Sequence, residues 1–250
     1  MTLQRPPMEG PPRSLGALVA QQARVRGHDP FLTYYDDLSG ERTELSYATF
    51  DNWVSKTANL LAEELGAGRG SSLALSLVDH WIGAVTVAAA WKLGAVIRLG
   101  TSQDADVVVV AEADRNSVRA DHPGLVVVGD GMGGRVDQEG PGLPYGDEVL
   151  AFGDDYDDPD VTMDDGAVVT PEGPVTQGEI HAAVSGALAD GARLFVSQPL
   201  DRGQPRLATA VCAGASLVWC PRSAGADLSQ RVTAERATHS LAVDGSIQAV

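Results

Sequence analysis

The sequence predicts an α/β protein of mostly parallel sheets flanked by helices. Three observations carry this reading. Stretches with helical apolar spacing alternate with short β-branched runs, Gly or Pro punctuates the junctions, and no apolar run approaches the roughly 18 residues of a membrane span. The most apolar run, Ile82 to Leu93, is too short to span and contains Lys92. With 250 residues, 44% hydrophobic and 21% charged, the chain is long enough to bury one large core or two small ones. Its 18 Lys and Arg stand against 34 Asp and Glu, a formal charge of -16. Such a surface repels phosphate backbones and anionic lipids, so neither nucleic acid nor a membrane is an expected partner. The acidity reads as a solvated, solubilising surface. Met1 to Arg13 carries Pro6, Pro7, Pro11 and Pro12 without an apolar stretch and cleavage site, which excludes a secretory signal and leads to the expectation of a soluble, cytoplasmic protein. Cys212 and Cys220 are too few for a disulfide framework and are read as reduced thiols.

The elements follow in order. Residues 1–14 form a Pro-rich arm, and Leu15 to Val25 a short helix. Phe31 to Tyr35 and Glu41 to Leu45 flank an Asp-Asp-Leu-Ser-Gly turn, a hairpin signal. Ser46 is a good N-cap, apolar residues recur at Phe50, Trp53, Val54, Thr57, Leu60, Leu61 and Leu65, and Gly66 offers a stop, which together predict an amphipathic helix. Ser72 to Leu77 reads as a buried strand, Trp81 to Leu93 as an apolar helix ended by Gly94, and Ala95 to Leu99 as a strand. Strand, helix, strand implies a parallel pair with a right-handed crossover. Asp106 to Val110 and Leu125 to Val128 extend that sheet.

From 131 to 165 Gly, Pro and acidic residues dominate, with Asp154, Asp155, Asp157, Asp158 and Asp160 in close succession, which favours an exposed connector. The chain resumes with Ala167 to Thr170 as a strand and a helix from Thr176, whose pairing with Glu179 is a capping box. Leu194 to Ser197 is a strand, Pro205 to Ala213 a helix stopped by Gly214, and Ser216 to Trp219 a strand. Leu228 to Arg236 and Ser240 to Val243 are the last helix and strand. Two α/β blocks, 15–130 and 166–250, joined by the connector 131–165, are the expected organisation.

The motifs are sparse. Gly129-Asp-Gly-Met-Gly-Gly134 has the spacing of a dinucleotide fingerprint, but Gly140, Pro141, Gly142 and Pro144 prevent the helix whose N-terminus would hold a pyrophosphate, so the stretch reads as a turn. The acidic run fails as a calcium loop because Pro159 falls on a ligand position and no Gly supplies the sharp turn. His28, His80, His122, His181 and His239 lack zinc or triad spacing and read as surface or capping residues, and no metal site is expected. Trp53, Trp81, Trp91 and Trp219 read as core.

One stretch resembles a known family. Glu44 to Leu61, the Gly66 to Gly70 turn, Ser72 to Leu77, and Ala88 to Val96 with Trp91-Lys-Leu-Gly-Ala-Val resemble the opening of acyl-CoA synthetases and other adenylate-forming enzymes. The resemblance runs over about Phe31 to Leu99 and implies the N-terminal-domain fold of that superfamily in truncated form, like small actinobacterial-type proteins of unassigned function. The family's phosphate-binding loop is Thr/Ser/Gly-rich and ends in Pro-Lys-Gly, and the matching place here is Val168 to Gln177. Thr170, Gly173, Pro174 and Thr176 are what is left of it. The loop is shortened and contains Glu172 in place of any lysine; Lys56 and Lys92, the only lysines in the chain, lie in earlier helices. Ser197-Gln-Pro-Leu200 resembles the start of the acyl-pocket helix, and Ala213 to Val218 the strand after it. The family's Thr-Glu segment, its ribose-binding aspartate and its C-terminal catalytic domain have no counterpart in this sequence.

The resemblance therefore implies a catalytically degenerate protein with no catalytic residues of its own, acting as a binding or scaffold module. Its expected crevice lies at the carboxyl ends of the parallel strands, with Thr170, Gly173 and Thr176 as the remnant phosphate loop and Ser197, Pro199 and Asp201 lining the ligand side. No cofactor is expected; ATP or AMP would be the group such a loop takes. A protein partner or a second copy is the expected associate, with an acyl or nucleotide small molecule as the ligand class. The alternative is an enzyme acting on an acyl or nucleotide ligand in the same crevice, completed by a partner chain, with Arg202, Arg206 or Arg222 as the local cations.

Overall fold

The computed structural model describes residues 11–199, 206–223, 228–242 and 244–250. In chain order the elements are α1 (Leu15–Arg26), β1 (Pro30–Asp36), β2 (Glu41–Ser46), α2 (Tyr47–Leu65), β3 (Ser72–Leu75), α3 (Trp81–Leu93), β4 (Val96–Leu99), β5 (Val107–Ala111) and β6 (Leu125–Val128). They continue as β7 (Leu143–Pro144), α4 (Tyr145–Glu148), β8 (Gly166–Thr170), β9 (Gly173–Thr176), α5 (Gln177–Val184), β10 (Arg193–Val196), α6 (Arg206–Ala213), β11 (Ser216–Arg222), α7 (Leu228–Ala234), β12 (His239–Leu241) and β13 (Ile247–Ala249). The helix ends lie where local chemistry puts them. The Ser46 hydroxyl accepts from the Thr49 N–H at 3.1 Å to start α2. Gly66 at φ +65° and Gly94 at φ +66° end α2 and α3 in the left-handed conformation that a side chain would strain.

Two sheets form among the described residues, in the orders β13-β12-β10-β11-β1-β2 and β7-β6-β5-β3-β4-β8-β9. Their interior pairs are parallel, and the antiparallel pairs β1–β2, β12–β13 and β8–β9 lie at sheet edges. The first sheet joins the two ends of the chain, since Leu32 on β1 lies in register with Leu217 on β11. The second is assembled from residues 72–176. It is thus nested between the two stretches of chain that build the first.

Alternation along each strand explains the layering, because successive side chains point to opposite faces. Leu73, Leu75, Val107, Val109, Val126 and Val128 of one sheet share a single core with Leu32, Leu194, Val196, Leu217 and Trp219 of the other, and α1, α2, α3, α5 and α6 contribute to it. Their neighbours Ala74, Val108, Val110, Leu125 and Val127 face outward into a smaller cluster. On the far side Phe195, Val218 and Cys220 are covered by Leu228 and Val232 of α7. Buried on both faces, these strands are Val- and Leu-rich rather than alternately polar. α3 is apolar around its circumference and nearly all of it is buried. α1 crosses it where Gly16 meets the Lys92 backbone so closely that a Cβ would lie 2.6 Å from Lys92 Cα.

Polar side chains tie the helices together inside this core. Gln177, fully buried, accepts from the Leu15 N–H at 2.7 Å and donates to the Trp91 carbonyl at 3.0 Å, so one side chain joins the start of α1 to the end of α3. Gln22 donates to the Val211 carbonyl at 3.0 Å, and Tyr47 Oη to that of Ala215 at 2.8 Å. The acidic stretch expected as a connector is largely exposed but fastened to the body. Asn59 Nδ2 donates to the carbonyls of Gly153 (2.8 Å) and Asp155 (3.0 Å), and Arg69 pairs with Asp165 at 2.6 Å. No described helix is long and apolar enough to cross a membrane.

Candidate functional site

The segment expected to be a remnant phosphate loop is a tight hairpin. Thr170 and Gly173 pair across β8 and β9, leaving Pro171 and Glu172 as the entire connection. Thr170 Oγ1 donates to the Gly173 carbonyl at 3.0 Å and accepts from the Glu172 N–H at 3.3 Å. Thr176 is occupied by the cap of α5. Its N–H and hydroxyl donate to the Glu179 carboxylate at 2.8 and 3.0 Å, and its Oγ1 accepts the Glu179 N–H at 3.2 Å. Those donors, the backbone N–H first and the hydroxyl second, hold the Glu179 carboxyl below the usual carboxylate range. The N-terminal turn of α5, where a phosphate would gain from oriented N–H groups, thus carries its own anion, and Glu172 adds another at the exposed tip. Neither lysine is near. Lys56 donates to the Phe152 carbonyl, and Lys92, 4% exposed, pairs with Asp51 at 2.7 Å and donates to Ser55 at 2.8 Å.

The second predicted segment follows β10. Ser197 and Pro199 are half-buried. The Gln198 carbonyl accepts from Trp219 Nε1 at 2.8 Å, and the Pro199 carbonyl accepts from Arg206 Nη1 at 2.7 Å, so Arg206 is engaged by the segment itself. Asp201 and Arg202 lie outside the described residues. Arg222 pairs with Asp36 at 2.9 Å. Both cysteines are free thiols pushed up by burial, Cys212 to about 12 and Cys220 to about 11, which removes them as ready nucleophiles.

A cleft of about 510 Å³ opens elsewhere along the carboxyl ends of the parallel strands. Asp36 ends β1 and Arg222 ends β11, while His80 and Trp81 follow β3 and the Asp130 to Gly133 turn follows β6. Both sheets therefore deliver strand ends to one place, the general ligand position of such folds. Glu41 is the polar centre. It accepts from Thr43 Oγ1 at 2.7 Å and Trp81 Nε1 at 2.9 Å and lies 3.4 Å from His80 Nε2. Burial alone would raise its carboxyl, but the hydrogen bonds from His80, Thr43 and Trp81 together outweigh that and hold it below the ordinary range. His80 Nδ1 accepts the Ile82 N–H at 3.2 Å, which leaves the ring proton on Nε2, facing Glu41. The imidazole is thereby a cap and a donor, with no free nitrogen to act as a base. Trp53 meets Trp81 edge-on at 5.2 Å, with Tyr145 stacked beyond Trp53 at 6.5 Å. The sequence had read Trp53 and Trp81 as core, His80 as a surface or capping residue and Arg222 as a candidate crevice cation; Asp36 and Arg222 are too far apart in the chain for any spacing rule to join them.

No family model matches the chain. A TIGR03089 family protein of Mycobacterium tuberculosis (strain ATCC 25618 / H37Rv) is 32% identical over 264 residues, an alignment covering 94% of this chain and 100% of that protein. Among solved structures, the N-terminal domain of FACL13 from Mycobacterium tuberculosis matches with a TM-score of 0.72 and 16% identity, covering 91% of this chain and 62% of that one. The anthranilate CoA ligase AuaEII, solved with anthranoyl-AMP, matches with a TM-score of 0.70 and 19% identity, covering 93% of this chain and 49% of that one. The chain thus spans between about half and two thirds of the length of these solved proteins. At such identities the likeness establishes the fold, the one expected from the Glu44 to Val96 stretch. With the full-length match to its mycobacterial relative, this chain belongs to the TIGR03089 family and carries the fold of the adenylate-forming N-terminal domain.

Proposed function

We propose that the chain is a catalytically degenerate, acyl-CoA synthetase-like protein that works as a binding or scaffold module rather than by adenylating a substrate. One observation carries this: the place of the phosphate loop is a two-residue turn whose hydroxyls and N–H groups already have partners. A triphosphate there would meet Glu172 and Glu179 with no lysine to neutralise it, and desolvated phosphate charge without a cation is strongly unfavourable. The engagement of Lys56 with Phe152 and of Lys92 with Asp51 supports the same reading. What such a module binds would be a protein partner or a second copy of itself.

Isothermal titration calorimetry with ATP, AMP and a long-chain acyl-AMP analogue, with and without magnesium, tests the proposal. No binding of ATP or AMP is expected. Micromolar ATP binding would refute it and favour an enzyme completed by a partner chain.

A further inference from the structure

We propose that the cleft at the carboxyl ends of β1, β11, β3 and β6 binds a small organic cation, an ammonium or guanidinium group carried on a flat apolar body. The inference is independent of the phosphate-loop reading, which concerns β8 and β9. Three features point to this ligand class. The volume of about 510 Å³ is that of a small-molecule site. The half-buried indole of Trp53 lines the cleft, with the edge of the buried Trp81 beside it, and indole is the best side-chain partner for a cation held close to an aromatic surface. The third feature is charge.

The two arginines on the cleft are already neutralised. Arg222 is paired with Asp36 at 2.9 Å and reaches Asp79 at 3.7 Å. Arg42 is paired with Glu44 at 2.7 Å and Glu235 at 3.6 Å. Against them stand Glu41, which accepts from Thr43 Oγ1 and Trp81 Nε1, and the exposed Asp130, which also lines the cleft. The uncompensated charge lining the cleft is therefore negative, beside an indole. An anion would be repelled by both carboxylates, and a neutral ligand would leave them unused. A cation on an apolar body meets both demands, with the charge between Glu41 and Asp130 and the body against the indoles. Met132, 94% exposed, lines the same cleft as further apolar contact.

The test uses phenethylammonium with two shape-matched controls, 2-phenylethanol and 3-phenylpropionate, titrated into the full chain. The readout is the indole ¹H–¹⁵N signal of Trp81, whose Nε1–H donates to Glu41. Saturable shifts are expected with the amine alone, weakened by added salt and by about tenfold in each of E41Q and D130N, the scale of one charge-assisted contact. Asp130 is exposed, so D130N keeps the test decisive should E41Q fail to fold. Spermidine separates the two parts of the ligand: it should bind more weakly than phenethylammonium. Equal binding of the alcohol, no saturable shift with the amine, spermidine as tight as phenethylammonium, or undiminished binding in D130N would each overturn the proposal.

Discussion

Replacing Gln177 with leucine removes a side chain that bridges α1, α3 and α5 while nearly preserving its volume. The carboxamide is fully buried, and its loss strands the Leu15 N–H, now 2.7 Å from Oε1, and the Trp91 carbonyl, now 3.0 Å from Nε2. A buried backbone group left without a partner costs about 1–3 kcal/mol, so two cost about 2–6 kcal/mol, of which the apolar gain of leucine offsets about 1 kcal/mol. For a chain of this size each kcal/mol shifts Tm by about 2–4 °C, so the net loss of about 1–5 kcal/mol corresponds to a drop of roughly 2–20 °C. Urea and thermal unfolding followed by fluorescence of Trp53, Trp81, Trp91 and Trp219 measure it. A Q177L protein within about 1 °C of the parent would refute the argument, since it would mean that both groups find new partners or water without penalty.

Other substitutions probe the same framework. Gly16→Ala drives a Cβ to 2.6 Å from Lys92 Cα and N, backbone on backbone. It should destabilise by about 1–3 kcal/mol in urea titrations despite the better helix propensity of alanine. Asp51→Ala leaves the Lys92 ammonium, 4% exposed, with Ser55 as its remaining partner, and should cost about 3 kcal/mol or more. The double variant D51A/K92M should recover most of that loss, and a strictly additive cycle would refute the pairing. Glu235 predicts an acid-side effect. Burial raises its carboxyl, but hydrogen bonds from Tyr35 and Arg193 hold the folded value below the ordinary 4.5. Between the two values the unfolded chain binds more protons, so this stabilisation is complete above about pH 4.5 and is lost as pH falls below it. The urea midpoint of E235Q should therefore depend less steeply on pH across that window than that of the parent; an unchanged slope would count against the assignment.

What could be read from the residues was local. Ser46 and Gly66 bracket α2, and Thr176 with Glu179 caps α5, because caps and left-handed stops depend on side chains within a few positions of one another. The β3–α3–β4 crossover and the apolar character of α3 followed from periodicity and chain handedness. β9 was missed because Pro174 makes the segment read as loop, although Pro is tolerated at the sheet edge where β9 lies. β13 is three residues long and escaped for want of any pattern. The remaining decisions were tertiary. Which strand β1 takes as its parallel partner, whether Gln177 meets Leu15 and Trp91, and how Asp36, Glu41, His80, Asp130 and Arg222 come to line one cleft depend on the packing of two sheets, one nested in the chain between the strands of the other. The sequence by itself determined the helices, most strands and the absence of any lysine from the 168–177 segment. Tertiary structure alone decided where strand ends converge, because a hydrogen bond or ion pair between residues far apart leaves no periodic trace in the chain.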